Sequence, residues 1–390
     1  MITLLSFHST VLKEESIILS SMNHLKVRLF KNQLEKRHYN LDRYFIGDIK
    51  FRILDLPTIE KYDLQKMYKV YDKWPEIARK SFESNQERVD FDDIDHIVFA
   101  GMGGSGAIGD LFSSILSKSD IHVSLVKGYL LPKTVDKNTL VVVTSISGNT
   151  SETLTILDSA KKTDCELIAF SSGGKMEELC KNNQIIFRKI PLFHSPRASF
   201  INFTYSILNI LNSILPIEKN GIIESLDNLD RIKDQIDSNN LSNSNPSINL
   251  ASWISGIPII YYPHGLQSVA TRFKSSLQEN AKMHTIMEDV IETCHNGIVS
   301  WERPSVVQPI LLQGQDDYIK TKERFDIIKE FFIKNNIEFK EIHSDSGNIL
   351  TKTISLIYML DYTSIYRAVL SKIDPSPVSS IDYIKSRLKN

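Results

Sequence analysis

The chain has 390 residues, enough for about two domains, and its 42% apolar and 24% charged residues are the balance of an ordinary globular protein. A net charge of −1 gives no global attraction to nucleic acid or to an anionic membrane, so neither is expected as a partner. The three scattered cysteines, Cys165, Cys180 and Cys294, make neither a disulfide framework nor a thiolate metal site, and no apolar run reaches the roughly 18 residues of a membrane span. Met1–Met22 has an apolar patch but no basic start, and it carries Glu14 and Glu15, so no signal peptide is read there and a reducing cytoplasm is the expected location.

In chain order, residues 1–60 form an extension with a basic stretch, Lys26–Arg52, that lacks a clean period; it is expected to be dispensable, so that a chain starting near Lys61 folds. A helix-like segment runs from Tyr62 past Trp74-Pro75 to about Ser84. Strands at His96–Gly101, His122–Val126, Leu140–Ser145, Glu166–Ser171 and Gln184–Ile190 then alternate with helices at Ser105–Leu116, Ser151–Lys162 and Lys175–Asn182, followed by an apolar helix at Ala198–Leu215. This rhythm predicts an α/β fold, a parallel sheet with helices on both faces, over residues 61–237. The polar run "SNNLSNSNPSIN", residues 238–249, reads as a linker. The rhythm restarts over 250–372: strands at Ile257–Tyr262, Gly297–Trp301, Ile310–Gln313 and Glu338–His343, and helices from Ser268, at Tyr318–Asn335 and at Leu350–Ser371. Residues 373–390 remain as a tail with a C-terminal helix.

Two strand-to-helix turns carry the chemistry. "HIVFAGMGGSGAIGDL" (His96–Leu111) ends a strand in four glycines and a serine, and "VVVTSISGNTSET" (Val141–Thr153) ends one in hydroxyls and a glycine. Such a turn places a helix N-terminus, with unpaired N–H groups and about half a positive charge, at the sheet's carboxyl edge. Glycines let the backbone approach an anion, and Ser145, Ser147, Asn149 and Thr150 offer side-chain donors without fixed charge, which suits a phosphate monoester. The glycine turn fits neither the dinucleotide fingerprint nor the P-loop, which would need a lysine. The plainer alternative is that these side chains only cap helices.

"GMGGSG" followed by "SISGNTSET" resembles the sugar isomerase (SIS) domain. "PRASF" (Pro196–Phe200), "ENAKMH" (Glu279–His284), "CHNGIVSWE" (Cys294–Glu302) and "DPSPVSSIDYIKSRL" (Asp374–Leu388) narrow the resemblance to the bifunctional phosphoglucose/phosphomannose isomerases of archaeal type, from about Tyr62 onward. The resemblance implies two flavodoxin-like SIS domains and an active site in a homodimer. It also implies reversible aldose–ketose isomerisation of glucose 6-phosphate and mannose 6-phosphate with fructose 6-phosphate, without metal or cofactor. By matching positions, Glu279 is the base; His295, contributed by the partner subunit, and Lys385 assist ring opening; Arg197 stabilises the oxyanion. Ser105, Ser145, Ser147 and Thr150 hold the phosphate, and Gly104 lets the backbone close on the sugar. The family commonly has an aromatic where this chain has Ile146, a difference expected to alter packing rather than chemistry. Cys294 lacks an oriented base and reads as packing. Two rival readings remain: an aminosugar-phosphate isomerase, for which no ammonia or glutamine site is visible, and a sugar-phosphate-binding regulator, whose DNA-binding module is equally absent.

Overall fold

The computed structural model describes residues Leu54–Leu388. The chain divides into residues 1–52 and 53–390, and the basic stretch Lys26–Arg52 lies outside the described residues. The expected boundary at 60 falls inside a helix, α1 (Leu56–Tyr62), which starts where the Asp55 carboxylate accepts the Thr58 N–H at 2.9 Å and which buries Ile59. The single helix expected over 62–84 is instead two, α2 (Met67–Tyr71) and α3 (Trp74–Phe82), set off from α1, which ends at Tyr62. Asp63 makes the first break: its buried carboxylate accepts the Met67 and Tyr68 N–H groups at 2.9 and 2.8 Å and so caps α2. Pro75 makes the second, since it cannot continue an incoming helix and sits in the first turn of α3.

Strands β1 (His96–Ala100), β2 (His122–Val126), β3 (Thr139–Ser145), β4 (Glu166–Ser171) and β5 (Ile186–Lys189) form an all-parallel sheet of order β2-β1-β3-β4-β5. β1 and β3, the near-continuous apolar runs, are central and buried over their whole length, as parallel strands covered on both faces must be. Helices α4 (Gly104–Leu116), α5 (Ser151–Ala160) and α6 (Gly174–Asn182) make the crossovers, and α7 (Phe200–Ile210) is buried throughout. Residues 216–237, unassigned from sequence, hold α8 (Lys219–Ile236), whose Ile222, Leu226, Leu229 and Ile236 recur on one face and are buried.

The expected linker is folded. Ser238 binds the Asp72 carboxylate through both its N–H (3.1 Å) and its hydroxyl (2.7 Å), and Asn245 caps α9 (Pro246–Trp253) by accepting the Ile248 N–H. Then follow β6 (Ile257–Tyr262), α10 (Gln267–Asn280), β7 (Ile286–Asp289), α11 (Val290–Thr293), β8 (Val307–Gln313), α12 (Ile319–Lys334), β9 (Lys340–His343), α13 (Ile349–Leu370) and α14 (Ser379–Lys385). The second parallel sheet has the order β7-β6-β8-β9, the first sheet's pattern less its last strand. The edge strand β7 was not expected. The strand expected at Gly297–Trp301 is instead a 3-10 helix, Gly297–Glu302: its apolar residues do not alternate between two faces, for Trp301 is buried and bonds Tyr261 Oη at 2.8 Å while Val299 stands in solvent.

One apolar cluster runs from the first sheet (Ile97, Leu140) to the second (Ile260, Ile310), with α13 through its middle. A ladder of rings, Tyr71 on Trp74 on Tyr358 on Tyr362, packs α2 and α3 against α13. No helix among the described residues is long and apolar enough to cross a membrane. A chain starting at Lys61 would lose Leu54 and Ile59, which are 2% and 0% exposed; that burial is worth about 3–6 kcal/mol, so this truncation should melt well below a chain starting at Leu54. Equal melting temperatures would show that α1 contributes nothing to the core.

Candidate active site

Ligands of doubly wound sheets collect where the strand order reverses, here between β1 and β3, and both turns leave the sheet at that point. The turns touch: Ser105 Oγ accepts the Ile146 N–H at 3.1 Å, while the Ile146 side chain is buried in the main core, in keeping with a packing role. Neither α4 nor α5 has a side-chain cap, although Thr150 stands at the α5 N-cap position. Instead, the Ser145 hydroxyl donates to Thr150 Oγ1 at 3.2 Å. The N-terminal N–H groups of two helices thus face one turn-lined edge without side-chain caps. Asn149 departs from its expected role as a donor to the ligand. Its Nδ2 donates to Ser147 O at 3.0 Å and its Oδ1 accepts the Lys175 N–H at 3.1 Å, so both ends of the amide are engaged within the protein.

Gly104 brings the glycine turn to a third segment. A Cβ there would lie 3.2 Å from Pro196 O and 3.4 Å from Arg197 Cα, so only glycine lets the loop before α7 close against α4 without displacing it. Arg197 is buried, and its guanidinium is the hub of the site. Nε donates to Asn280 Oδ1 at 2.7 Å, Nη2 to Pro375 O at 2.7 Å and to Ser376 O at 2.8 Å, and Nη1 to Glu279 Oε2 at 3.1 Å. Guanidinium has five N–H donors, so one, on Nη1, is left for a ligand. Glu279, in the last turn of α10, also lines a cavity of about 540 Å³ closed on its far side by Pro377–Ile381. A second buried pair supports the hub: Arg272 donates to Asp361 Oδ2 at 2.7 Å and to Arg197 O at 2.7 Å, and Ser276 and Tyr71 bind the same carboxylate.

Two further residues at this site were not singled out from sequence, although each lies in or beside a quoted motif. Lys282, in "ENAKMH", donates to Pro377 O at 2.7 Å and to Glu279 O; burial, and then the Arg197 charge, lower its pKa. His194, two residues before "PRASF", places Nε2 3.4 Å from Ser376 Oγ, and burial followed by Arg197 lowers its pKa as well.

The structure therefore joins Ser145, Thr150, Ser105, Gly104, Arg197 and Glu279 into one run of contacts, with Ser147 on the same turn. It does not bring His295 or Lys385 to them within the chain. His295 is exposed in the turn between α11 and the 3-10 helix, not at the start of a strand, and Lys385 is exposed at the end of α14. Cys294 donates to Val290 O at 3.2 Å and packs half-buried against the second sheet's outer cluster.

Residues 90–214 match the SIS domain and residues 243–388 match the bacterial phospho-glucose isomerase C-terminal SIS domain, one for each sheet. The chain is 33% identical over 335 residues to a bifunctional phosphoglucose/phosphomannose isomerase of Caldicellulosiruptor bescii, a match covering 80% of this chain and 96% of that protein. The chain belongs to the bifunctional phosphoglucose/phosphomannose isomerase family. It is also 30% identical over 237 residues to a D-glucosamine-6-phosphate 4-epimerase of Sulfolobus acidocaldarius, covering 60% of this chain and 72% of that protein. Among solved structures, the C-terminal domain of glucosamine-fructose-6-phosphate aminotransferase from Francisella tularensis shares the fold, with a TM-score of 0.60 at 15% identity over 80% of this chain and 98% of that one.

In this member of the family the hub's stability is directly testable. Asp361→Ala leaves the Arg272 guanidinium, 3% exposed, without its counter-charge. That should destabilise the fold by about 3–5 kcal/mol, read from the urea midpoint; a loss below about 1 kcal/mol would mean that water reaches the pair.

Proposed function

We propose that the protein interconverts glucose 6-phosphate and mannose 6-phosphate with fructose 6-phosphate through a cis-enediolate. The observation that carries this reading is the Glu279–Arg197 pair, 3.1 Å apart, on the same run of contacts as two uncapped phosphate-type turns. The phosphate sits against Ser105, Ser145, Ser147 and Thr150 at the N-termini of α4 and α5, where N–H groups and helix dipoles favour a dianion. The sugar extends past Gly104 toward Arg197, which puts C1 and C2 at Glu279. Its carboxylate takes the proton from C1 of the open ketose and returns it to C2, while the hydroxyl proton moves from O1 to O2. The remaining Nη1–H of Arg197 is directed at the oxyanion formed between these steps. The face of C2 that receives the proton decides between glucose and mannose.

Ring opening needs an acid and a base at O5 and the anomeric hydroxyl. His295 and Lys385 have the chemistry for it, but both are exposed in a single chain. The reading therefore places them, His295 in particular, in the site of a second copy within a homodimer. No metal or redox cofactor enters the balance of an enediol mechanism.

A coupled assay starting from fructose 6-phosphate tests the reaction. Glu279→Gln keeps size and hydrogen bonding to Arg197 but cannot move the proton, so kcat should fall at least about 100-fold with the fold intact. Turnover near wild type would remove Glu279 from the mechanism. Activity confined to glucosamine 6-phosphate would favour the aminosugar reading instead. For the dimer, equal amounts of Glu279→Gln and His295→Ala chains, reassorted at random, form about half mixed dimers, each with one intact site of two. About a quarter of wild-type activity should return if the histidine acts across the interface, and none if it acts within its own chain.

A further inference from the structure

An anion cradle made of backbone has a requirement that its donors do not meet alone. Every carbonyl in the turn must point away from the anion and be bonded elsewhere, because an oxygen dipole turned inward would repel the ligand. The turn after β3 satisfies this with a segment that belongs to neither phosphate turn. Ser145 O accepts the Gly148 N–H at 2.9 Å within the turn itself. Ile146 O accepts the Ser172 N–H at 3.1 Å, and Gly148 O accepts the Met176 N–H at 2.9 Å. Ser147 O accepts Asn149 Nδ2 at 3.0 Å, and Asn149 is fixed in turn by the Lys175 N–H on its Oδ1. Four consecutive carbonyls are thus committed, two of them to the turn after β4 and a third through Asn149.

The close fit of the two turns explains Gly148 and, in "SSGGK" (Ser171–Lys175), Gly174. A Cβ on Gly148, at φ +70°, would lie 1.7 Å from Gly173 O; one on Gly174, at φ +71°, would lie 2.8 Å from Asn149 Oδ1 and 2.9 Å from Ser147 O. The Ser171 hydroxyl donates to Gly173 O and accepts the Gly173 N–H, at 2.8 and 3.0 Å, which holds the second turn in shape without help from the ligand. The two turns are built around each other, and among the described residues Asn149 is the only side chain that bonds to both.

We propose that the turn after β4 is the outer half of the phosphate cradle, and that Asn149 is a positioning residue for the phosphate: it never touches the anion but holds the Ser147 carbonyl away from it. The inference rests on the isomerase reading for its substrate, since it concerns the same phosphate. Asn149 acts only on the phosphate end, so its loss weakens ground-state and transition-state binding alike.

Steady-state kinetics with fructose 6-phosphate, inhibition by inorganic phosphate and thermal melting, measured on the full chain, make the test. For Asn149→Ala, KM and the inhibition constant of inorganic phosphate should rise together, by about tenfold, with kcat within about twofold of wild type. A residue that merely stabilised the fold would lower the melting temperature and leave both constants unchanged, and that outcome overturns the proposal. A fall in kcat alone also overturns it, because the residue would then act at the reacting carbons. If the alanine variant does not fold, Asn149→Asp keeps the acceptor for the Lys175 N–H, loses the donor to Ser147 O and adds a negative charge. It should raise both constants by more than tenfold, and unchanged constants refute the proposal. Failure of the isomerase reading looks different. A wild-type protein that turns over no sugar phosphate, yet is stabilised by inorganic phosphate in a manner lost in Asn149→Ala, would remove the reaction and leave the cradle standing.

Discussion

A guanidinium removed from water destabilises a fold unless nearly every N–H is bonded and the charge is answered. Arg197 meets that condition only by drawing together parts of the chain that lie far apart in sequence: the end of α10 through Glu279 and Asn280, and the tail through the Pro375 and Ser376 carbonyls. Its own carbonyl is held by Arg272, which is bound in turn to Asp361 in the buried middle of α13. The position of Glu279 relative to the first sheet is therefore set by the same bonds that keep the buried charges satisfied. Under the proposed mechanism, the alignment of base and oxyanion donor is fixed by the core and needs no substrate to create it, which is what preorganisation requires.

The opposite end of the site rests on a different principle. Among the described residues, no buried cation bonds to either turn, for the Arg197 guanidinium is directed at α10 and the tail. On the proposed reading, the turns' attraction for a dianion comes from helix N–H groups that no side chain caps and from hydroxyls that can turn their protons outward. Such a site works only where the strand order reverses, because there two adjacent helices diverge from one sheet edge and leave room between their ends. The glycine at 104 then sets the distance between the two ends of the site, since it governs how closely the Arg197 segment approaches α4.

Much of this was legible in the sequence. Buried parallel strands write themselves as unbroken apolar runs, so β1 and β3 and the turns that follow them could be located, and the two halves were recognisable as one architecture. Several of the failures share a physical cause: polar residues that bond buried groups or cap a helix look solvated in the sequence. Asn245 before Pro246 is a local start signal for α9 hidden in a polar run, whereas Ser238 reads as linker because nothing local shows that it binds Asp72. Asp63 likewise gives no local sign that it breaks a helix by capping the next one. In the 3-10 helix at Gly297–Glu302, a short apolar run without clean alternation imitates a strand. For the candidate site, residue type and motif singled out Arg197 and Glu279 but could not reveal that they pair, and Asn149 was assigned to the ligand because the donor to its Oδ1, the Lys175 N–H, lies on another turn.

The tail bears on the proposed homodimer. α14 has no buried residue; Ile381, Tyr383, Ile384 and Leu388 are all exposed on or just beyond it, although the preceding residues are held firmly by Arg197 and Lys282. A short helix anchored at one end by polar bonds, with its apolar side chains in water, gains nothing from hydrophobic burial within its own chain. His295 presents the same imbalance on the second sheet, as an exposed imidazole whose proposed task requires a desolvated sugar beside it. A homodimer that covers both resolves the two together, because a two-fold axis supplies each copy's missing surface from the same patch on the other. On that reading the phosphate end and the base are complete within one subunit and the ring-opening groups are not. Dissociation would then impair ring opening before it impaired phosphate binding.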